Sequence, residues 1–267
     1  MKRRVSVWIL AGALAACNGE DPAPTPTPTA TPTPTASASA TTLGGARSVA
    51  EETDDFLFEY SYPAEAGKIA ELATVLDVWL VQRREELAAK ASTARREARR
   101  DGFPYNKYSY AAEWKVVTEL PGWLSLSSDV ATYEGGAHGN ATIQSLVWDK
   151  EAEQAMDAIR LFASPAALEE ALGDRFCEAL DRQRAERRGA PIEEGSDDEF
   201  DQCPKITEIE VLVGSSNRRA FNRLTLYAGP YVAGAYAEGP YAIDINVDQA
   251  ILAAVKPEYR AAFAARN

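Results

Sequence analysis

The sequence is poor in the residues that most often carry chemistry. It holds one histidine, His138, three cysteines and two methionines in 267 residues. A single histidine gives a hydrolytic triad only one choice of base and leaves a zinc site short of imidazole ligands. The G-x-S-x-G pattern of a nucleophile elbow is absent. Long apolar runs are scarce as well. The extended run Val5–Ala16 falls short of the roughly 20 residues that a spanning helix needs. Cations are outnumbered, 28 Lys and Arg against 40 Asp and Glu, for a formal charge of −12. Such a balance repels phosphates, so nucleic acid is not an expected partner, and it attracts cationic ones.

What is present begins with Met1-Lys2-Arg3-Arg4, a short basic start to the apolar run. The run ends in Leu14-Ala15-Ala16-Cys17, the pattern of a bacterial lipobox. Residues 1–16 are therefore expected to be a lipoprotein signal peptide, with acyl chains at Cys17 anchoring the protein to a membrane. An ordinary signal peptide with a chance cysteine is the alternative. Asn18 rather than aspartate follows the cysteine, which points to the outer membrane, facing the periplasm. Loss of the leader removes three cations, Lys2, Arg3 and Arg4, and takes the charge from −12 to −15.

Residues 17–52 read as a lipid-anchored, Pro/Thr-rich linker. From Asp21 to Thr42 proline recurs at alternate positions among Thr, Ala and Ser, a composition that favours extended polyproline II and buries no core. The two remaining cysteines, Cys177 and Cys203, form an even pair in an exported chain and predict a disulfide.

The rest predicts an α+β fold: an antiparallel sheet packed with a long N-terminal helix and a second helix, preceded by the disordered tether. Phe56–Tyr62 alternates as a strand closed by Pro63. Ile69, Leu72, Leu76, Leu80 and Leu87 recur at helical steps, and Asp101-Gly102 with Pro104 ends the helix. Its distal Arg95–Arg100 cluster reads as a solvated face. Tyr108–Leu120 and Trp123–Tyr133 alternate around a Pro121-Gly122 turn, and Ala141–Trp148 resumes the pattern. In the first of these strands, Tyr110, Ala112, Trp114, Val116 and Thr118 are expected on one side. Residues 53–150 form a first module by this reading. Residues 151–267 form a second, with a helix from Ser164-Pro165 to about Arg188, three strands and two short closing helices.

Between the third and fourth strands of the first module lies Tyr133-Glu134-Gly135-Gly136-Ala137-His138-Gly139-Asn140. Three glycines in five positions mean a backbone path that few other residues follow. Tyr227 to Tyr241 reads Y-A-G-P-Y-V-A-G-A-Y-A-E-G-P-Y. Together these stretches resemble a two-module exported family. The first module looks like the domain of unknown function at the N-terminus of a peptidoglycan deacetylase (PdaC/RsiV-like), and the second like the C-terminal part of the lysozyme-sensing anti-sigma factor RsiV. Arg160-Leu161-Phe162 stands where the family carries a D-L-F-like segment. The resemblance implies an exported α+β ectodomain, and in that anti-sigma factor the ectodomain binds lysozyme. No spanning helix, sigma-binding segment or deacetylase catalytic domain is expected in the present chain.

The candidate site residues are Tyr133, Glu134, His138 and Asn140 in the glycine turn, and Tyr231, Tyr236, Glu238 and Tyr241 in the tyrosine loop. Tyrosines interrupted by Gly and Pro in a loop suit stacking on sugar rings or a protein contact, or else packing of the loop down onto the sheet. The expected role is binding of a cationic lysozyme-like protein or of cell-wall glycan, with no catalytic residue, metal or cofactor. A glycan hydrolase or deacetylase-like enzyme using His138 and Glu134 is the competing expectation.

Overall fold

The computed structural model describes residues 37–193 and 195–266. The signal peptide, Cys17 and most of the proline-rich tether lie outside the described residues.

The chain enters a seven-stranded sheet earlier than its composition suggests. Strands β1 (Ser37–Leu43) and β2 (Ala46–Glu52) form a hairpin over Gly44-Gly45, both at positive φ, as a two-residue hairpin turn requires. The linker expected to run to Glu52 thus gives way to strand from Ser37. These Ala-, Ser- and Thr-rich residues carry no apolar alternation. Their order comes from partners: β2 pairs with β3 (Phe56–Tyr62), Arg47 bonds Asp77 at 3.0 Å, and Arg84 grips Glu51 through two bonds of 2.6 and 2.7 Å.

Phe56, Phe58, Tyr60 and Tyr62 all point into the core from β3, as their alternation predicts. Beyond the short helix α1 (Ala64–Gly67), the long helix α2 (Ala70–Asp101) lays Leu72, Leu76, Leu80, Leu87 and Ala91 on the sheet. Gly102 ends it at φ 75°. Its distal arginines are used locally: Arg95 pairs with Asp55 and Arg100 with Asp101. Because α2 carries the chain back along the sheet, β4 (Tyr108–Leu120) runs parallel to β3, among the described residues the one parallel pair in a sheet expected to be antiparallel.

Strands β5 (Trp123–Tyr133), β6 (Asn140–Asp149) and β7 (Gln154–Met156) complete the sheet in chain order. A bulge between Val116 and Thr118 breaks the alternation of β4. Trp114 packs under α2 against Trp79, whereas Thr118 is not on its side: it pairs with Ser125, and Leu120 joins a second core on the opposite face.

That second core is closed by a three-stranded sheet, β8 (Glu210–Gly214), β9 (Arg223–Ala228) and β10 (Tyr241–Asn246), in the order β10-β9-β8. Strand β8 lies against β4, β5 and β6. Phe162, Phe176, Phe221, Leu226 and Ile251 fill the space between the layers. The helix expected from Ser164 to Arg188 is two: α3 (Pro165–Leu172), capped by the Ser164 hydroxyl accepting from Ala167 N–H at 3.0 Å, and α4 (Arg175–Arg188). Gly173, at φ 53°, breaks them apart. Cys177 and Cys203 form the disulfide, tying α4 to the acidic loop before β8. A further short helix, α5 (Gln249–Ala254), follows β10. Among the described residues no helix is long and apolar enough to cross a membrane.

Candidate functional site

The glycine turn and the tyrosine loop, about 90 residues apart in sequence, meet in space. The turn joins β5 to β6. Gly135 and Gly136 take φ of 89° and 90°, left-handed values that a side chain resists. Gly139 is required for a different reason: a Cβ there would stand 2.6 Å from the Thr132 carbonyl oxygen. Gly139→Ala is therefore expected to displace the turn and lower stability by about 1–3 kcal/mol, with loss of the tyrosine signal in near-UV circular dichroism.

The turn presents the His138 imidazole face-on to Tyr236, ring centroids 3.9 Å apart and 21° from parallel. Tyr231 flanks both rings, at 6.3 Å from His138 and 5.5 Å from Tyr236. The hydrogen bonds assign the tautomer. His138 Nδ1 lies 3.0 Å from the Gly139 carbonyl, which only accepts, so Nδ1 carries the hydrogen. Nε2 is then the acceptor for the Tyr231 hydroxyl at 3.3 Å. Tyr236 donates to the same Gly139 carbonyl at 2.9 Å.

Tyr231 itself is strained. Val232 N–H bonds the Gly229 carbonyl at 3.1 Å, closing a turn with Pro230 second and Tyr231 third. Tyr231 has φ 67°, so the turn is of the type II class, which normally places glycine at that position. A left-handed non-glycine residue costs about 1–2 kcal/mol. Its side chain does not bury itself in return, being 51% exposed.

The other predicted residues do different things. Tyr133 donates to the Gly136 carbonyl at 3.1 Å and braces the turn. Glu134 points to α2, where it pairs with Lys90 at 2.6 Å, so the structure does not bring it to His138. Asn140 starts the exposed end of β6 and lines a hollow beneath Tyr231. Tyr241 is fully buried and bonds Glu238, which Arg188 also grips at 3.0 Å. Burial alone would raise the Glu238 carboxyl, but the bonds from Tyr241 and Arg188 outweigh it and hold the group below its ordinary range. Glu238 and Tyr241 thus anchor the base of the loop.

Sequence reasoning missed the arginines of α4 that hold this loop. Arg184 is entirely buried. Its guanidinium bonds the carbonyls of Ala233, Asp201 and Gln202 at 2.9–3.1 Å and the Asp181 carboxylate at 2.9 Å. Arg187 lies 4.0 Å over the Tyr241 ring and donates to the Glu238 and Pro240 carbonyls. Their spacing of three and four residues was the available signal, but it is equally that of a solvated helix face.

Beside the platform formed by the rings of His138, Tyr231 and Tyr236, the open face of the seven-stranded sheet is a trough of about 790 Å³. Its floor is small residues such as Ala50, Ala111 and Ala131, and Glu59, Glu113 and Asp129 line it. Lys115 bridges Glu113 and Asp129 at 2.9 and 2.6 Å, leaving the trough acidic on balance. Among the described residues no three His, Cys, Asp or Glu side chains converge as metal ligands.

Comparison with known proteins gives a match on the first module. Residues 49–141, which span β2 to the start of β6 and include the glycine turn, match the family model described as Deacetylase PdaC. No curated protein matches the chain. Solved structures with a similar course include a DUF3298 family member from Bacteroides fragilis, at 14% identity, 80% of this chain, 89% of that chain and TM-score 0.44. A DUF3298 family protein from Pseudomonas aeruginosa aligns at 15% identity over 88% of this chain and 96% of that one, with TM-score 0.46.

Proposed function

We propose that the chain is a non-catalytic cell-envelope binding protein, lipid-anchored through Cys17 at the outer membrane, whose folded part recognises a cationic protein. The observation that carries this reading is Tyr231. A tyrosine held at a glycine position, half exposed and stacked beside His138 and Tyr236, retains strain that burial does not repay. Strain of this kind collects at functional positions. Three aromatic rings on a rigid turn make a contact with little side-chain entropy left to lose. The acidic trough beside them supplies attraction for a cation-rich partner.

An enzymatic reading has the name of the matched deacetylase family in its favour. It would need Glu134 beside His138, and Lys90 holds that carboxylate elsewhere.

The test uses lysozyme as a cationic probe and peptidoglycan as a comparator, at low and moderate salt. Lysozyme is expected to be retained at low salt and released as salt rises. Tyr231→Gly is expected to weaken retention about tenfold or more, as loss of an aromatic anchor does. Stability should stay within about 1 kcal/mol, because relief of the left-handed strain offsets the extra freedom of unfolded glycine. Equal lysozyme binding by the variant would overturn the reading. Acetate release from peptidoglycan that is lost in His138→Ala would favour the enzyme instead.

A further inference from the structure

The seventh strand is too short for its neighbour. Among the described residues β7 pairs only with Val147, Trp148 and Asp149 of β6. From Asn140 to Leu146 the outer edge of β6 has no partner strand, although the inner edge is fully paired with β5. Lys150 N–H bonds the Gly122 carbonyl at 2.9 Å, so the N–H groups at even positions of β6 face β5 and those at odd positions, such as Ser145, face outward. By the two-residue repeat of a strand, the N–H groups of Ala141 and Ile143 point the same way. Neither donates to another backbone group outside the ladders.

Two hollows follow this edge. One, of about 440 Å³, runs along Asn140–Thr142 under Tyr231. The other, of about 290 Å³, begins at Gln144 and Ser145 and reaches Trp79 and Trp114 beneath α2. Glu210 lines both, so they read as one groove bordering Asn140–Thr142 and Gln144–Ser145 of the free edge. The charge in it is one-sided. Glu208 lies in the first hollow and Asp157 in the second, while the single cation, Arg83, is paired with Glu86 of its own helix at 2.9 Å. Burial, with Asp157 adding to it, pushes the Glu210 carboxyl up in spite of the Ser145 contacts that lower it.

We propose that this groove takes an extended, lysine- or arginine-bearing protein segment, which adds to the sheet as a strand beside Ala141–Ser145. Main-chain bonds to the β6 edge hold the segment, and its cations face Glu210 and Asp157. The inference rests on the binding-protein reading and adds a main-chain mode of recognition to it. The segment's outer end would lie under Tyr231, so one partner engages groove and platform together.

The test titrates the intact chain with a fluorescent eight-residue peptide of alternating Thr and Lys, followed by anisotropy. A second peptide is the same but N-methylated at alternate residues, and a third carries Glu for Lys. Saturable binding is expected for the first peptide only. Glu210→Gln or Asp157→Asn should weaken it about tenfold, as loss of one charge-assisted contact does. Amide exchange at Ala141 and Ile143 should slow when the peptide is added. Equal binding of the N-methylated peptide, or no effect of either variant, overturns the groove proposal. If lysozyme retention still depends on Tyr231 in that case, the platform reading stands alone. If the peptide binds as described and lysozyme does not, the groove stands and the platform reading falls.

Discussion

Arg184→Met is expected to lower the unfolding free energy by about 3–5 kcal/mol, measured by urea denaturation of the folded protein. The side chain has no exposure to water. Its guanidinium satisfies three carbonyls from two separate segments, Ala233 in the tyrosine loop and Asp201 and Gln202 beside the disulfide. Methionine fills similar space but donates nothing, so the Ala233 carbonyl loses its donor where water is excluded and those of Asp201 and Gln202 lose theirs in a partly buried setting. Lysine at the same position keeps the charge but not the planar fork, and should recover only part of the loss. Arg182, two residues earlier and exposed, is the control: Arg182→Met should change stability by no more than about 0.5 kcal/mol. The loop of Tyr231 and Tyr236 should also exchange its amides faster in Arg184→Met, since one of its anchors is gone. An Arg184→Met protein as stable as the parent would mean that the guanidinium bonds do not hold these segments.

Breaking the Cys177–Cys203 disulfide by a Cys177→Ala, Cys203→Ala double substitution should cost roughly 3–4 kcal/mol, given the 26-residue separation of the cysteines. Cross-linking restricts the unfolded chain, and the acidic stretch between the cysteines has little packing of its own to replace that restriction. Cys203 follows directly on Asp201 and Gln202, two of the three residues whose carbonyls Arg184 holds. The two effects act on one segment and should therefore not add. Combined with Arg184→Met, the disulfide loss is expected to cost at least about 1 kcal/mol less than the sum of the separate losses. Strict additivity would show that bridge and guanidinium hold the loop independently.

Much of the fold was legible because it rests on local repeats. Phe56–Tyr62 alternates without interruption, and α2 sets Leu72, Leu76, Leu80 and Leu87 at four- and seven-residue steps, with Gly102 stopping the helix further on. The hairpin β1–β2 was not legible. Its residues are small and polar, and they become strand only because β3 offers an edge and Arg47 and Arg84 find carboxylates. The bulge near Val117 was equally hidden, since β-branched residues continue the sequence pattern while the backbone turns Thr118 and Leu120 to the other core.

The candidate site divides in the same way. Three close glycines announced a tight turn, and the paired cysteines announced a bridge, because each constraint acts within a few residues or by elimination. Sequence composition likewise determined the acidic character of the chain. Only the tertiary structure decided which candidates stand together. It stacked His138 on Tyr236, set Tyr231 beside them at a glycine position, sent Glu134 to Lys90 and buried Tyr241 under Arg187. These pairings depend on where two sheets and α4 come to rest, and that is settled by the packing of residues far apart in the chain.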